Sequence, residues 1–292
     1  MRVLLLAFVL SAVAARSQPV AQDRPLPEFD AFVAQVKTRL QTDGELQRGY
    51  VYTERRVEQE LDGSGRVTDE HVQVFEVHPA LPGEDPYRRL LEEDGRPVPA
   101  KDLAKRDRER REEVQEYARR LERQSDRDRR KAVEEYEKAV KERGDAIDDI
   151  FNVFDVRIVG RDHLEGHQTI VFSLTPKANA RPRTDSGRMM RHFKARAWIS
   201  EAEFELVRVD VEAVDTVSFG LGLLARLHEG STLSFQRRKV NGEAWLPARV
   251  AYTGSGRVLL VRHLRRGGRS EFSTYRKYTV ETSTELSLPV EP

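Results

Sequence analysis

The chain has 292 residues, with 50 Lys+Arg against 49 Asp+Glu for a formal net charge of +1, and no cysteine. The missing thiols exclude a disulfide framework, thiolate zinc sites, cysteine nucleophiles, iron–sulfur ligation and a lipid-modified N-terminal cysteine. Nearly balanced charge supplies no global attraction to nucleic acid.

Arg2 precedes the apolar run Val3–Leu10 and the small residues Ser11–Ala15. A short positive end, a core of about 7–15 apolar residues and an A-x-A site predict a signal peptide over 1–15, cleaved near Ala14 or Ala15. A membrane span needs roughly 20 apolar residues, and Arg16, Gln18 and Pro19 end this run early. The product is expected to be exported, periplasmic or secreted, with no transmembrane segment in the mature chain. In an oxidising compartment it must then rely on its core rather than on disulfides.

Residues 16–27, with Pro19, Pro25 and Pro27, read as a flexible arm. Phe29, Phe32, Val33, Val36 and Leu40 share one helical face, which predicts an amphipathic helix over 28–40, ended by Asp43-Gly44. Strand-like alternation over 50–61 and 66–77 surrounds the turn Asp62-Gly63-Ser64-Gly65. Asp94-Gly95 separates a strand at 87–93 from Arg96-Pro97-Val98. Residues 28–100 thus form the first part of a β domain, with its N-terminal helix.

The second part, 144–285, carries strands at 154–160, 168–175, 194–199, 203–214, 232–240, 246–253, 257–264 and 270–281. Turn signals stand at Leu164-Glu165-Gly166, Asn241-Gly242, Gly254-Ser255-Gly256 and Gly267-Gly268. Such spacing predicts an antiparallel meander, and residues 286–292, with two prolines, form a tail. Ile170-Val171-Phe172 and Leu259-Leu260-Val261 are apolar on both faces, as in a strongly curved sheet with something packed in its concavity.

Residues 101–143 break this grammar with 16 Lys/Arg, 13 Asp/Glu and no Gly or Pro. Acid-first pairs at i,i+4 (Asp102/Arg106, Asp107/Arg111, Glu116/Arg120, Asp126/Arg130, Glu134/Lys138 and Glu137/Lys141) predict a charged helix. Its apolar stripe is thin: Val114, Tyr117, Ala118 and Leu121, then Val133, Tyr136 and Val140. An unbroken helix would run roughly 65 Å, longer than a body of about 45 Å, so it projects, breaks near Gln124-Ser125, or pairs. Three readings stay open for it: a solvated helix, a partner-binding arm, and a nucleic-acid or membrane-surface helix.

No catalytic motif is present: no nucleophile elbow, P-loop, H-E-x-x-H or dinucleotide fingerprint. His163 and His167 are four apart but lie on a hairpin turn. No catalytic residue, metal ligand or cofactor site is therefore expected, and an enzyme is not. Two features stand out instead: the apolar stretch Val217–Leu227 with its flexible Gly220 and Gly222, and the strand–turn–strand Val240–Pro247.

Several segments in order resemble a known group. They are the exported N-terminal helix, a strand opening on Tyr50 and Tyr52, and a strand from Gly166 to Leu174. After them come F-K-A-R-A-W-I-S (Phe193–Ser200), V-N-G-E-A-W-L-P (Val240–Pro247) and F-S-T-Y-R-K-Y (Phe272–Tyr278). Together they are similar to the periplasmic lipoprotein-carrier superfamily (LolA/LolB-like) and its lipoprotein-sorting relatives, with 101–143 outside the pattern. The resemblance implies an α+β fold: a strongly curved antiparallel sheet, or half-open β-barrel, with helices over the concave face enclosing an apolar cavity.

The expected function is an exported lipid- or lipoprotein-binding protein of the cell envelope, a carrier sequestering acyl chains. The lining residues expected are Phe172, Leu174, Trp198, Val207, Val209, Phe235 and Trp245, with Phe219 and Leu223 at the rim. The alternative is an envelope sensor or scaffold that docks another envelope protein through helix 101–143, as the related sigma-factor-regulator sensor domains would suggest.

Overall fold

The computed structural model describes residues 24–47, 49–79, 85–219, 225–258 and 262–277. The predicted signal peptide, the tail, Leu223 and Leu259-Leu260-Val261 lie outside them. Helix α1 (Phe29–Gln47) comes first, its opening turn held by Glu28, whose carboxylate accepts the N–H groups of Asp30 and Ala31. Strands β1 (Tyr50–Leu61), β2 (Val67–His78), β3 (Tyr87–Glu93) and the short β4 (Arg96–Pro97) follow. Two helices come next, α2 (Ala100–Glu122) and α3 (Asp126–Val153). The chain then returns to strands with β5 (Phe154–Leu164) and β6 (His167–Pro176), the helix α4 (Asp185–Met190), β7 (Phe193–Ser200) and β8 (Leu206–Ala213). A small hairpin, β9 (Val217–Phe219) and β10 (Ala225–Leu227), precedes β11 (Thr232–Val240), β12 (Ala244–Val258) and β13 (Arg262–Lys277).

Among the described residues the strands form one antiparallel sheet in the order β4-β3-β2-β1-β13-β12-β11-β8-β7-β6-β5. The β9–β10 hairpin joins it through β12. The path is not closed, so the architecture is an open α+β sheet with helices, as expected. It is also strongly coiled. The ring of Trp245 on β12 lies 4.6 Å from that of His167 on β6, although four strand spacings of a flat sheet would part these strands by about 19 Å.

Three hairpin turns follow their residues directly. Asp94-Gly95, Glu165-Gly166 and Asn241-Gly242 all have positive φ at both positions, as tight two-residue hairpin turns demand. The turn at Asp62-Gly63-Ser64-Gly65 forms too, closed by the Gly65 N–H on the Asp62 carbonyl, but two other glycine signals do not make turns. Gly254 and Gly256 lie inside β12, and Gly267 and Gly268 inside β13. The three expected strands 246–253, 257–264 and 270–281 are therefore replaced by two long ones. The reason is close approach: a Cβ on Gly256 would collide with the carbonyl oxygen of Arg226, and one on Gly268 would stand 2.6 Å from the Tyr252 ring.

The charged segment is broken where expected, at Arg123–Ser125. Ser125 and Asp128 cap α3 reciprocally, each side chain accepting the other's backbone N–H. The helix passes Gly144 and ends at Val153, ten residues beyond the expected 143. The predicted acid-first pairs do not form. The i,i+4 pairs on these helices run base-first: Lys105–Glu109, Lys131–Glu135, Lys138–Glu142 and Lys141–Asp145. Exposed pairs of either order are worth under about 1 kcal/mol, so little selects between them. Asp107 turns away from Arg111 to take both ends of the Arg89 guanidinium at 2.7 and 2.9 Å, which ties α2 to β3.

Candidate functional site

The site is built on one face of the sheet. Strand partners share a face, so the registers align a single row: Ile158 (β5), Phe172 (β6), Ala197 (β7), Val209 (β8), Phe235 (β11), Val250 (β12), Ser270 (β13) and Arg56 (β1). A second row two residues along reads Leu174, Ala195, Val211, Leu233, Tyr252, Gly268 and Glu58. Both rows are apolar from β6 to β12 and turn polar after it.

Helix α1 covers the β5–β7 end of this face. Phe32 and Val36 are buried against Ile170, Phe172 and Ile199, with Phe29, Val33, Leu40 and Leu174 around them. The Phe32 ring sits 5.8 Å from that of Phe172 and 5.2 Å from that of Phe204. Helix and sheet thus meet side chain to side chain.

Beyond this contact the apolar surface continues less covered. Val209, Val211, Phe235 and Val250 are half-buried. Leu233 is 42% exposed and Tyr252 38%. The Tyr252 ring lies over Gly268, which extends the open surface onto β13 at the cost of a side chain there.

A buried charge closes the row on its polar side. Glu54 (β1) accepts hydrogen bonds from Arg56 at 2.9 and 3.0 Å, from Arg88 at 3.1 Å and from Ser270 at 2.8 Å. Burial alone would raise its pKa, but the Ser270, Arg56 and Arg88 bonds outweigh that and hold the carboxyl below its ordinary value. Arg56 also lies over the Phe75 ring. The arrangement can seat an extended apolar chain along the open row, with a hydrogen-bonding cluster at one end. Among the described residues no three His, Asp or Glu side chains could hold a metal ion, and no described helix is long and apolar enough to cross a membrane.

The nine residues expected to line a cavity fall into separate places. Phe172 and Leu174 lie under α1. Trp198, Val207 and Trp245 pack with Val171 in another cluster, where Leu164 joins them. There the Trp245 indole donates to Glu203 at 2.9 Å and the Trp198 indole to Asp162 at 3.1 Å. Only Val209 and Phe235 stand on the open row. The side chain of Phe219 and the whole of Leu223 fall outside the described residues. Sequence reasoning missed Val211, Leu233, Val250 and Tyr252, although the alternation in β8 and the pairs Leu233/Phe235 and Val250/Tyr252 carried the signal. It also missed Glu54, an acid at an inward position among apolar neighbours.

No family model matches the chain, nor does any curated protein. Solved structures similar to it include an outer membrane lipoprotein-sorting protein domain from Vibrio parahaemolyticus, 12% identical with a TM-score of 0.32 over 88% of this chain and 97% of that one. A LolA superfamily protein from Nitrosomonas europaea is 8% identical with a TM-score of 0.27 over 87% and 96%. The MucA/MucB complex of Pseudomonas aeruginosa is 9% identical with a TM-score of 0.24 over 90% and 98%. Likenesses of this size carry no argument about activity, which rests on the chain's own residues.

Proposed function

We propose that this chain is an exported, non-enzymatic protein of the cell envelope that binds the acyl chains of lipids or lipoproteins on the open row of β8, β11 and β12. The observation that carries the reading is the continuity of the row. The same apolar surface that α1 seals over β6 and β7 runs on through the half-buried Val209, Phe235 and Val250 to Leu233 and Tyr252, which are exposed. Each methylene moved from water onto such a surface gains about 0.8 kcal/mol, so an acyl chain lying along it gains several kcal/mol before ordering costs. The charged residues beyond β12 keep the row from extending across the whole face, and so set a length for the ligand.

The test is uptake of a fluorescent fatty acid by the purified chain and by Phe235→Asp and Leu233→Asp variants, with native mass spectrometry of protein taken from its own envelope. Wild type should bind and carry lipid, and each variant should lose binding at least tenfold while keeping its far-UV circular dichroism. No co-purifying lipid together with no uptake contradicts the proposal.

A further inference from the structure

A different part of the molecule carries a second kind of surface. Over residues 101–143 acids and bases nearly balance, but around the α2–α3 break they do not: residues 119–131 hold seven Lys/Arg and three Asp/Glu. Glu116, Arg119, Arg120, Arg123, Gln124 and Asp128 line a groove of about 700 Å³ at this break. Asp128 is occupied by the Ser125 cap and Asp126 lies 3.7 Å from Arg129, so two of the three acids are engaged. Among the described residues the exposed guanidinium groups of Arg119, Arg123, Arg127 and Arg130 make no hydrogen bond or ion pair.

Four large apolar side chains on the same two helices are exposed. Leu121 is 41% exposed, Val133 56%, Tyr136 57% and Val140 46%. On α3 the sequence Arg129, Val133, Tyr136, Val140, Arg143 advances by four, three, four and three residues, which places all five on one helical face. Arginines thus bracket an exposed apolar patch that contains a tyrosine. Cations at the margins of a shallow apolar strip that holds an aromatic suit a surface whose charge is negative and whose interior is hydrocarbon.

We propose that the α2–α3 arm docks on a membrane surface rich in anionic phospholipid. The free guanidinium groups at the break would meet headgroup phosphates, while Val133, Tyr136 and Val140 enter the headgroup–acyl boundary. A protein partner of acidic character would use the cations but has no need of the apolar strip. The proposal does not rest on the acyl-binding reading.

The test is co-flotation of the purified full chain with vesicles of 30% phosphatidylglycerol in phosphatidylcholine, against vesicles of phosphatidylcholine alone. Wild type should float with the anionic vesicles and not with the neutral ones, and raising the salt should release it. Each basic residue near an anionic surface contributes roughly fivefold in affinity, so the variant R119Q/R123Q/R127Q/R130Q should bind at least tenfold more weakly. V133S/Y136S/V140S should also weaken binding, while both variants keep full uptake of the fluorescent fatty acid. Equal binding to neutral vesicles, binding to neither, or undiminished binding by the arginine variant would overturn the proposal. So would a 20-nucleotide single strand that binds as tightly as the anionic vesicles, which would assign the cations to nucleic acid.

Discussion

Two stretches of one sheet face differ in what lies over them. On β6 and β7, Ile170, Phe172 and Ile199 are at most 5% exposed because Phe32 and Val36 of α1 pack into them. On β11 and β12, in register with those strands, Leu233 and Tyr252 keep about two-fifths of their surface in water. The residue types are alike in both stretches; the neighbours are not. Among the described residues, burial of the β6–β7 stretch thus follows from the helix, while the β11–β12 stretch keeps apolar side chains in water.

Substitutions should separate the two stretches. The largest effect belongs to the covered one: Phe32→Ala removes the ring that joins Phe172 and Phe204 and should cost about 3–5 kcal/mol, read by denaturant unfolding. A smaller loss is expected at the adjoining end of α3. There Asp149, fully buried, accepts the N–H groups of Arg183 and Thr184 and the Thr184 hydroxyl. Burial by itself would raise its pKa, but the bonds from Thr184, Arg183 and Asn152 hold it at about 2 against an ordinary 3.8. A depressed folded value stabilises the protein above the unfolded pKa. That contribution should fade as pH falls from near 4 toward 2, and Asp149→Asn, costing about 2–3 kcal/mol, should flatten the dependence. Least of all, Leu233→Ala on the open row should change stability by under about 1 kcal/mol, while reducing fatty-acid uptake severalfold. A large stability loss at Leu233 would mean that the row is already capped.

Much of this was legible in the residues themselves. The stripe from Phe29 to Leu40 announced α1, the strand expected over 203–214 contains β8, and Ser125 marked the break between the helices. Glycine misled where it was paired. Gly254 and Gly256, Gly267 and Gly268 have the look of turns, but they serve β10 and the Tyr252 ring, contacts made only after folding. Parity was lost at bulges as well. The register shifts between Trp198 and Ile199 and between Gln236 and Arg237, and no local pattern announces them. The first shift leaves Val207 unpaired in β8, and it is found with Val171 and Trp198 in a cluster apart from the row. Trp198 itself pairs with Val171 and Arg208, so plain alternation already sets it on the face opposite Phe172 and Val209. Val209 and Phe235, which sit clear of both shifts, keep the face that alternation assigns.

The measurement that bears most directly on the open row is photo-crosslinking with a diazirine-bearing palmitate, followed by peptide mapping. The account predicts label on Leu206–Ala213, Thr232–Val240 and Ala244–Val258, abolished by Phe235→Asp. Label confined to α3, or spread over the surface without competition from unlabelled palmitate, would contradict it.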